Sequence, residues 1–97
     1  MATYISFIQY TQQGLQKIKE SPGRLDQAKK AYEAAGGKLK DFYLVMGEYD
    51  IVVVADLPND DAAAKLALSL GAAGNIRTRT SRAFTEAEFR KLVQSLP

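Results

Sequence analysis

Met46-Gly47-Glu48-Tyr49-Asp50, followed by Ile51-Val52-Val53-Val54-Ala55, is the stretch on which the reading of this chain turns. Before it stands Lys40-Asp41-Phe42-Tyr43-Leu44-Val45, rich in the aromatic and β-branched residues that strands favour. Two such runs parted by a few residues that include a glycine predict a β-hairpin. Gly47 supplies the positive φ that such a turn often needs, and Tyr49 and Asp50 then stand where the chain re-enters the sheet. A carboxylate and a phenol at that mouth have two readings. Asp50 accepts from the amine of a small ligand while Tyr49 donates or stacks, or Asp50 accepts from backbone N–H groups and fixes the turn. Turn chemistry is the commoner fate.

Outward from the hairpin, the remaining elements follow from periodicity. Thr3–Tyr10 alternates as a first strand, with Ile5 and Phe7 on one face and Tyr4, Ser6, Ile8 and Tyr10 on the other. Thr11–Glu20 predicts a short helical segment with Leu15 and Ile18 on one side. Ser21-Pro22 then predicts a restart, serine as N-cap and proline at the first helical position. Leu25, Ala28, Tyr32 and Ala35 keep a helical period until Gly36-Gly37 stops it. After the hairpin, Asn59 or Asp60 caps a helix whose buried stripe is Ala63, Leu66, Ala67 and Leu70. Gly71–Gly74 ends it, and Asn75–Ala83 is a fourth strand. Thr85-Glu86-Ala87-Glu88 is a capping box, with Phe84 and Phe89 placed as a hydrophobic staple. Phe89, Leu92, Val93 and Leu96 give this last helix one apolar side.

The order β-α-β-β-α-β plus a C-terminal helix predicts an α+β, ferredoxin-like domain over residues 1–97. Its four-stranded antiparallel sheet carries both main helices on one face. If the other face met water, each strand would alternate apolar and polar residues. Instead Val52 and Val54 oppose Ile51, Val53 and Ala55, while Phe42 and Leu44 oppose Tyr43 and Val45. A sheet apolar on both faces needs a second cover. The predicted cover is the same face of a second copy, since a two-fold dimer uses one self-complementary patch twice.

Composition narrows the chemistry. The 97 residues fit one domain, and they contain no cysteine and no histidine. Disulfides, thiol nucleophiles, imidazole metal sites and the commonest general base are therefore absent, and no cofactor is expected. No early segment resembles a signal peptide and no apolar run nears the roughly 20 residues that span a bilayer. A cytoplasmic protein without a membrane partner is expected. A net charge of +2 is too small to imply nucleic acid.

Gly47-Glu48-Tyr49-Asp50 with its apolar strand, then Gly74-Asn75-Ile76-Arg77-Thr78 with Thr80, resembles the GYD domain family, named for the residues that are Gly47, Tyr49 and Asp50 here. Tyr4-Ile5 and Ala83-Phe84-Thr85 extend the resemblance over nearly the whole chain. Arg79 departs from it, standing where the family pattern leads one to expect an acidic residue. The resemblance implies a bacterial, dimeric α/β-barrel protein of ferredoxin-like fold with no established activity. It extends to the ligand-sensing domains of Lrp/AsnC-type regulators, which bind amino acids between subunits, although these 97 residues leave no room for their helix-turn-helix. Cofactor-free monooxygenases and haem enzymes share the barrel. Fold analogy alone assigns no function.

Three groups could carry chemistry. The hairpin tip Gly47, Tyr49 and Asp50 is the first. Arg77 and Arg79 share one face of the fourth strand and could clamp a carboxylate or phosphate, or they could guard a sheet edge, with Arg82 pointing the other way. Tyr4, Tyr10, Phe42 and Tyr43 could line a small cavity or simply pack. The main expectation is a small-molecule-binding or sensing homodimer with a pocket formed by Tyr49, Asp50, Gly47, Tyr43 and Arg77. The rival is a cofactor-independent enzyme that would need a base or proton donor from Asp50, Tyr43 or Tyr4. A third reading is a purely structural assembly unit.

Overall fold

The computed structural model describes all residues from Met1 to Pro97. Four strands, β1 (Ala2–Tyr10), β2 (Lys38–Leu44), β3 (Ile51–Leu57) and β4 (Ile76–Ala83), form one antiparallel sheet in the order β2-β3-β1-β4. This is the ferredoxin-like order that the doubled βαβ pattern predicts. The long helices α2 (Ser21–Ala34) and α3 (Asp60–Ala72) cover one face, after a short α1 (Gln12–Gln16) and a 3-10 turn over Ile18–Glu20. A fourth helix, α4 (Glu86–Gln94), follows β4. No helix is long and apolar enough to cross a membrane.

Strand parity settles which side chains meet the helices. Tyr4, Ile8, Ile51, Val53, Ala55 and Leu57 are buried with Tyr32 of α2 and Ala63 and Leu66 of α3. The odd positions of β1 and even positions of β3 face away, so Ile5, Phe7, Val52 and Val54 form a second apolar surface on the helix-free side. Buried Ser6 and exposed Thr80, cross-strand partners on the helix side, share a 2.8 Å hydrogen bond between their hydroxyls.

Local chemistry fixes the helix ends. The Asn59 side chain caps α3 by accepting from the Ala62 N–H at 3.0 Å. Gly36 and Gly74, with φ of +89° and +85°, close α2 and α3 in the left-handed region that only glycine enters freely. At α4 the full capping box forms: Thr85 Oγ1 accepts from Glu88 N–H, and Glu88 Oε1 accepts from Thr85 N–H at 2.9 Å. That donated hydrogen bond holds the Glu88 carboxyl below its usual range.

Two expectations need correction. Ser21 is not the N-cap of α2; Glu20 holds that place, because the 3-10 turn runs directly into the helix and Ser21 is already helical at φ −57°, ψ −42°. Its hydroxyl is spent on Tyr10 instead. Leu15 and Ile18, expected on one apolar side, are both exposed, since this segment touches the fold through the backbone at Gly14 rather than through large side chains. Meanwhile α4 buries none of its residues, and Phe89 stays 59 % exposed.

Two phenols couple this fold to pH. Tyr4 donates to Asp60 Oδ1 at 2.5 Å, and that bond, followed by lost hydration, raises its pKa above the ordinary 10.0. Burial pushes the Tyr32 phenol up as well. Above pH ~10 the unfolded chain releases both protons while the fold retains them, so stability present below that pH drains away as pH climbs further. Alkaline unfolding of Tyr32→Phe should accordingly show a shallower dependence on pH than wild type. An unchanged slope would remove burial of that phenol as the cause.

Candidate functional site

On its helix side the core is closed at one end and open at the other. Near the start of α3, Tyr4, Ala55, Leu57, Ala63 and Leu66 fill the space between helix and sheet. Toward the β2–β3 hairpin the long helices part, α2 lying against β2 and α3 against β4. A crevice of about 300 Å³ opens between them. Ile8, Phe42, Ile51, Val53 and Ile76 form its floor, and α2 and Leu70 of α3 its walls. The cause is side-chain volume. At this level α2 presents Ala28 and Ala31, where leucine or phenylalanine would have closed the gap. The volume matches the lower end of small-molecule pockets.

The lining is apolar at 13 of 17 residues, and the four polar ones, Ser21, Arg24, Gln27 and Asn75, come from the first turns of α2 and the approach to β4. Tyr10 and Ser21 share a 2.8 Å hydrogen bond between hydroxyls at this end. Arg24 donates from Nη1 to the Lys17 carbonyl at 3.1 Å and from Nη2 to the Gly14 carbonyl at 3.3 Å. It takes no part in the three ion pairs of the chain, Lys40–Asp56, Arg82–Glu88 and Arg90–Glu86. Arg24, its head held by two carbonyls and in no ion pair of the chain, thus lines the crevice with its charge unneutralised.

At the hairpin, geometry is dense. Val45 N–H donates to the Asp50 carbonyl at 2.8 Å, and Asp50 N–H donates to the Ile8 carbonyl at 2.9 Å. Asp50 Oδ2 accepts from Tyr10 N–H at 2.9 Å, and Gln9 Nε2 donates to the Glu48 carbonyl at 2.8 Å. The loop is therefore laced to β1, and Gly47 turns it with φ +126°. The Tyr49 ring lies 5.2 Å from that of Phe7, tilted by 46°, on the helix-free face. Register places Tyr43, Val52, Phe7 and Arg79 in one row across that face, with Arg77 one step on, opposite Gln9.

A family model described as the GYD domain matches residues 4–93. The chain belongs to the GYD domain family. Among solved structures it is similar to the feast or famine regulatory protein Rv3291c from M. tuberculosis, complexed with L-methionine, at 18 % identity and a TM-score of 0.66. That alignment covers 88 % of this chain and 51 % of the regulator, so the chain spans about half the regulator's length. It is also similar to TTHA0845 from Thermus thermophilus, at 24 % identity and a TM-score of 0.50, over 88 % of this chain and 95 % of that one. At such identities these two likenesses speak for the fold. No curated protein matches the chain.

In this GYD domain the residues singled out in the sequence fall into separate places. Tyr43, Tyr49 and Arg77 share the helix-free face, Asp50 engages the β1 backbone, and Gly47 shapes the loop; none of the five lines the crevice. The aromatic set divides three ways, with Tyr4 in the closed core, Tyr10 and Phe42 in the crevice and Tyr43 outside. β4 is a sheet edge, carrying Arg77 and Arg79 on its outer face, whereas Arg82 turns to the helix side, 4.4 Å from the Phe84 ring. Sequence reasoning misses Arg24 and Ala31 as residues of the crevice. Their signal is present, since Arg24, Ala28 and Ala31 fall at i, i+4 and i+7, one helical face where charge and small volume meet.

Proposed function

We propose that this GYD domain is a small-molecule-binding module that works as a homodimer, its ligand held in the crevice between α2 and the sheet. The crevice carries this reading: an apolar chamber of about 300 Å³ with its few polar groups gathered at one end is the usual construction of a ligand pocket. A protein of the same fold occurs in complex with an amino acid, L-methionine, which fits a binding role. Hydroxyls and a guanidinium line the chamber without a carboxylate, a set that serves recognition better than general-base chemistry. The helix-free face supports the pairing, with Tyr43, Tyr49 and Arg77 at the junction and Gly47 and Asp50 holding the hairpin that presents them.

Thermal melting with a panel of amino acids, small organic acids and alcohols tests this. A bound compound at about 100 times its Kd adds about 2.7 kcal/mol, which for a domain of this size raises the melting temperature by about 10 °C or more. Ala28→Phe, or the smaller filling Ala31→Leu, should abolish the rise while leaving a folded protein. A panel without effect on wild type, or equal rises in the filled variants, contradicts the proposal.

A further inference from the structure

Resting on the crevice as a binding site, we infer that its ligand is an apolar monocarboxylic acid whose carboxylate meets Arg24 while its body lies over Phe42, Ile51 and Val53. The first observation is the unpaired charge. Arg24 is half-buried at the polar end of the crevice and no carboxylate of the chain forms an ion pair with it. Two of its five N–H donors go to the Gly14 and Lys17 carbonyls, which fix the head and leave its charge in place. A second donor stands on the same rim. In the Tyr10–Ser21 pair one hydroxyl donates to the other, and the second keeps its own O–H free for an acceptor.

The surroundings favour an anion too. Ser21 and Arg24 belong to the first turn of a 14-residue helix that has no acidic residue in that turn, so the positive end of the helix dipole adds to the guanidinium. The nearest acids along the chain, Glu20 and Asp26, are exposed, and the Glu20 side chain caps no helix N–H. Charge-assisted hydrogen bonds to a carboxylate are the strong kind, and arginine's fork suits its two oxygens. A neutral head leaves the guanidinium without a counter-ion, and an α-amino acid adds a second cation beside it. Tyrosines aside, the other apolar lining residues offer nothing to further polar groups, so the body of the ligand is mostly hydrocarbon.

Three probes of equal length, octanoate, 1-octanol and 2-aminooctanoate, separate the possibilities by calorimetric titration at neutral pH. Octanoate should bind at least about tenfold more tightly than the other two. Arg24→Gln should bring octanoate down to the level of 1-octanol and leave 1-octanol unchanged, while Arg24→Lys keeps most of the preference. Equal affinity of the acid and the alcohol, with no effect of Arg24→Gln, overturns the acid as ligand and leaves the crevice standing as a binding site. Tightest binding of 2-aminooctanoate overturns it in favour of an amino acid. Binding of none of the three overturns the crevice reading itself.

Discussion

Val54→Lys is expected to convert a dimer into a folded monomer of 10.6 kDa. Val54 sits on β3, an inner strand, facing away from the helices between Ile5 of β1 and Asp41 of β2. In a single chain the substituted ammonium remains in water with Asp41 beside it, so the fold tolerates the change. In a face-to-face pair it enters an apolar contact without a partner of its own, which costs several kcal/mol. Area bears on the same question. Four strands about 4.8 Å apart and some seven residues long offer roughly 450 Å² of face, short of the roughly 800 Å² per partner of a stable complex. The apolar side of α4, with Phe84, Phe89, Leu92, Val93 and Leu96 all about half exposed or more, is the natural source of the remainder. Removing residues 84–97 should therefore weaken the dimer without melting the sheet. A wild-type chain that sediments as a monomer in dilute solution contradicts the pairing outright.

Gly37→Ala should be among the most damaging single methyls. A Cβ there would overlap the Asp56 carbonyl oxygen and stand 2.9 Å from Leu57 Cδ2. The first is strand backbone, and the second belongs to the most deeply buried large side chain, 2 % exposed. Gly37 N–H also closes α2 by donating to the Tyr32 carbonyl at 3.0 Å, so the residue cannot slide away without opening the helix end. A loss of about 3 kcal/mol or more is expected, a fall of at least about 12 °C in melting temperature. Gly23→Ala is the matched control: nothing lies within 4 Å of its Cβ, and alanine favours the helix by up to about 1 kcal/mol. Equal melting temperatures for the two variants would show that the turn at Gly37 and β3 are not in the tight contact described.

How far the sequence can be read varies with range along the chain. Asn59, Gly36, Gly74 and the Thr85–Glu88 box act on their own neighbours, and their roles are legible from residue type and spacing. Alternation in β1 and β3 reveals two apolar faces, because parity within a strand is independent of tertiary detail. The fate of Ser21 is not legible: its hydroxyl has a local use as a cap, and Tyr10, 11 residues away, takes it. The crevice escapes sequence reading for a related reason. Ala28 reads as a core-facing residue, yet whether an alanine closes a helix onto a sheet or leaves a hollow depends on what stands opposite. Here that is Ile8, Ile51 and Val53, and the helices diverge above them. The hairpin signature stands out because glycine, tyrosine and aspartate are conspicuous together, while alanines and one arginine on a helix are not.

The location of the ligand is tested most directly by methyl-resolved NMR during titration with octanoate, because adjacent residues of one strand report on opposite faces. Saturable shifts are expected at Leu25, Leu39, Ile51, Val53 and Leu70, with Ile5, Val52 and Val54 unmoved. Shifts concentrated at Ile5, Val52 and Val54 would place the ligand on the helix-free face, and the crevice would be an empty gap in the core.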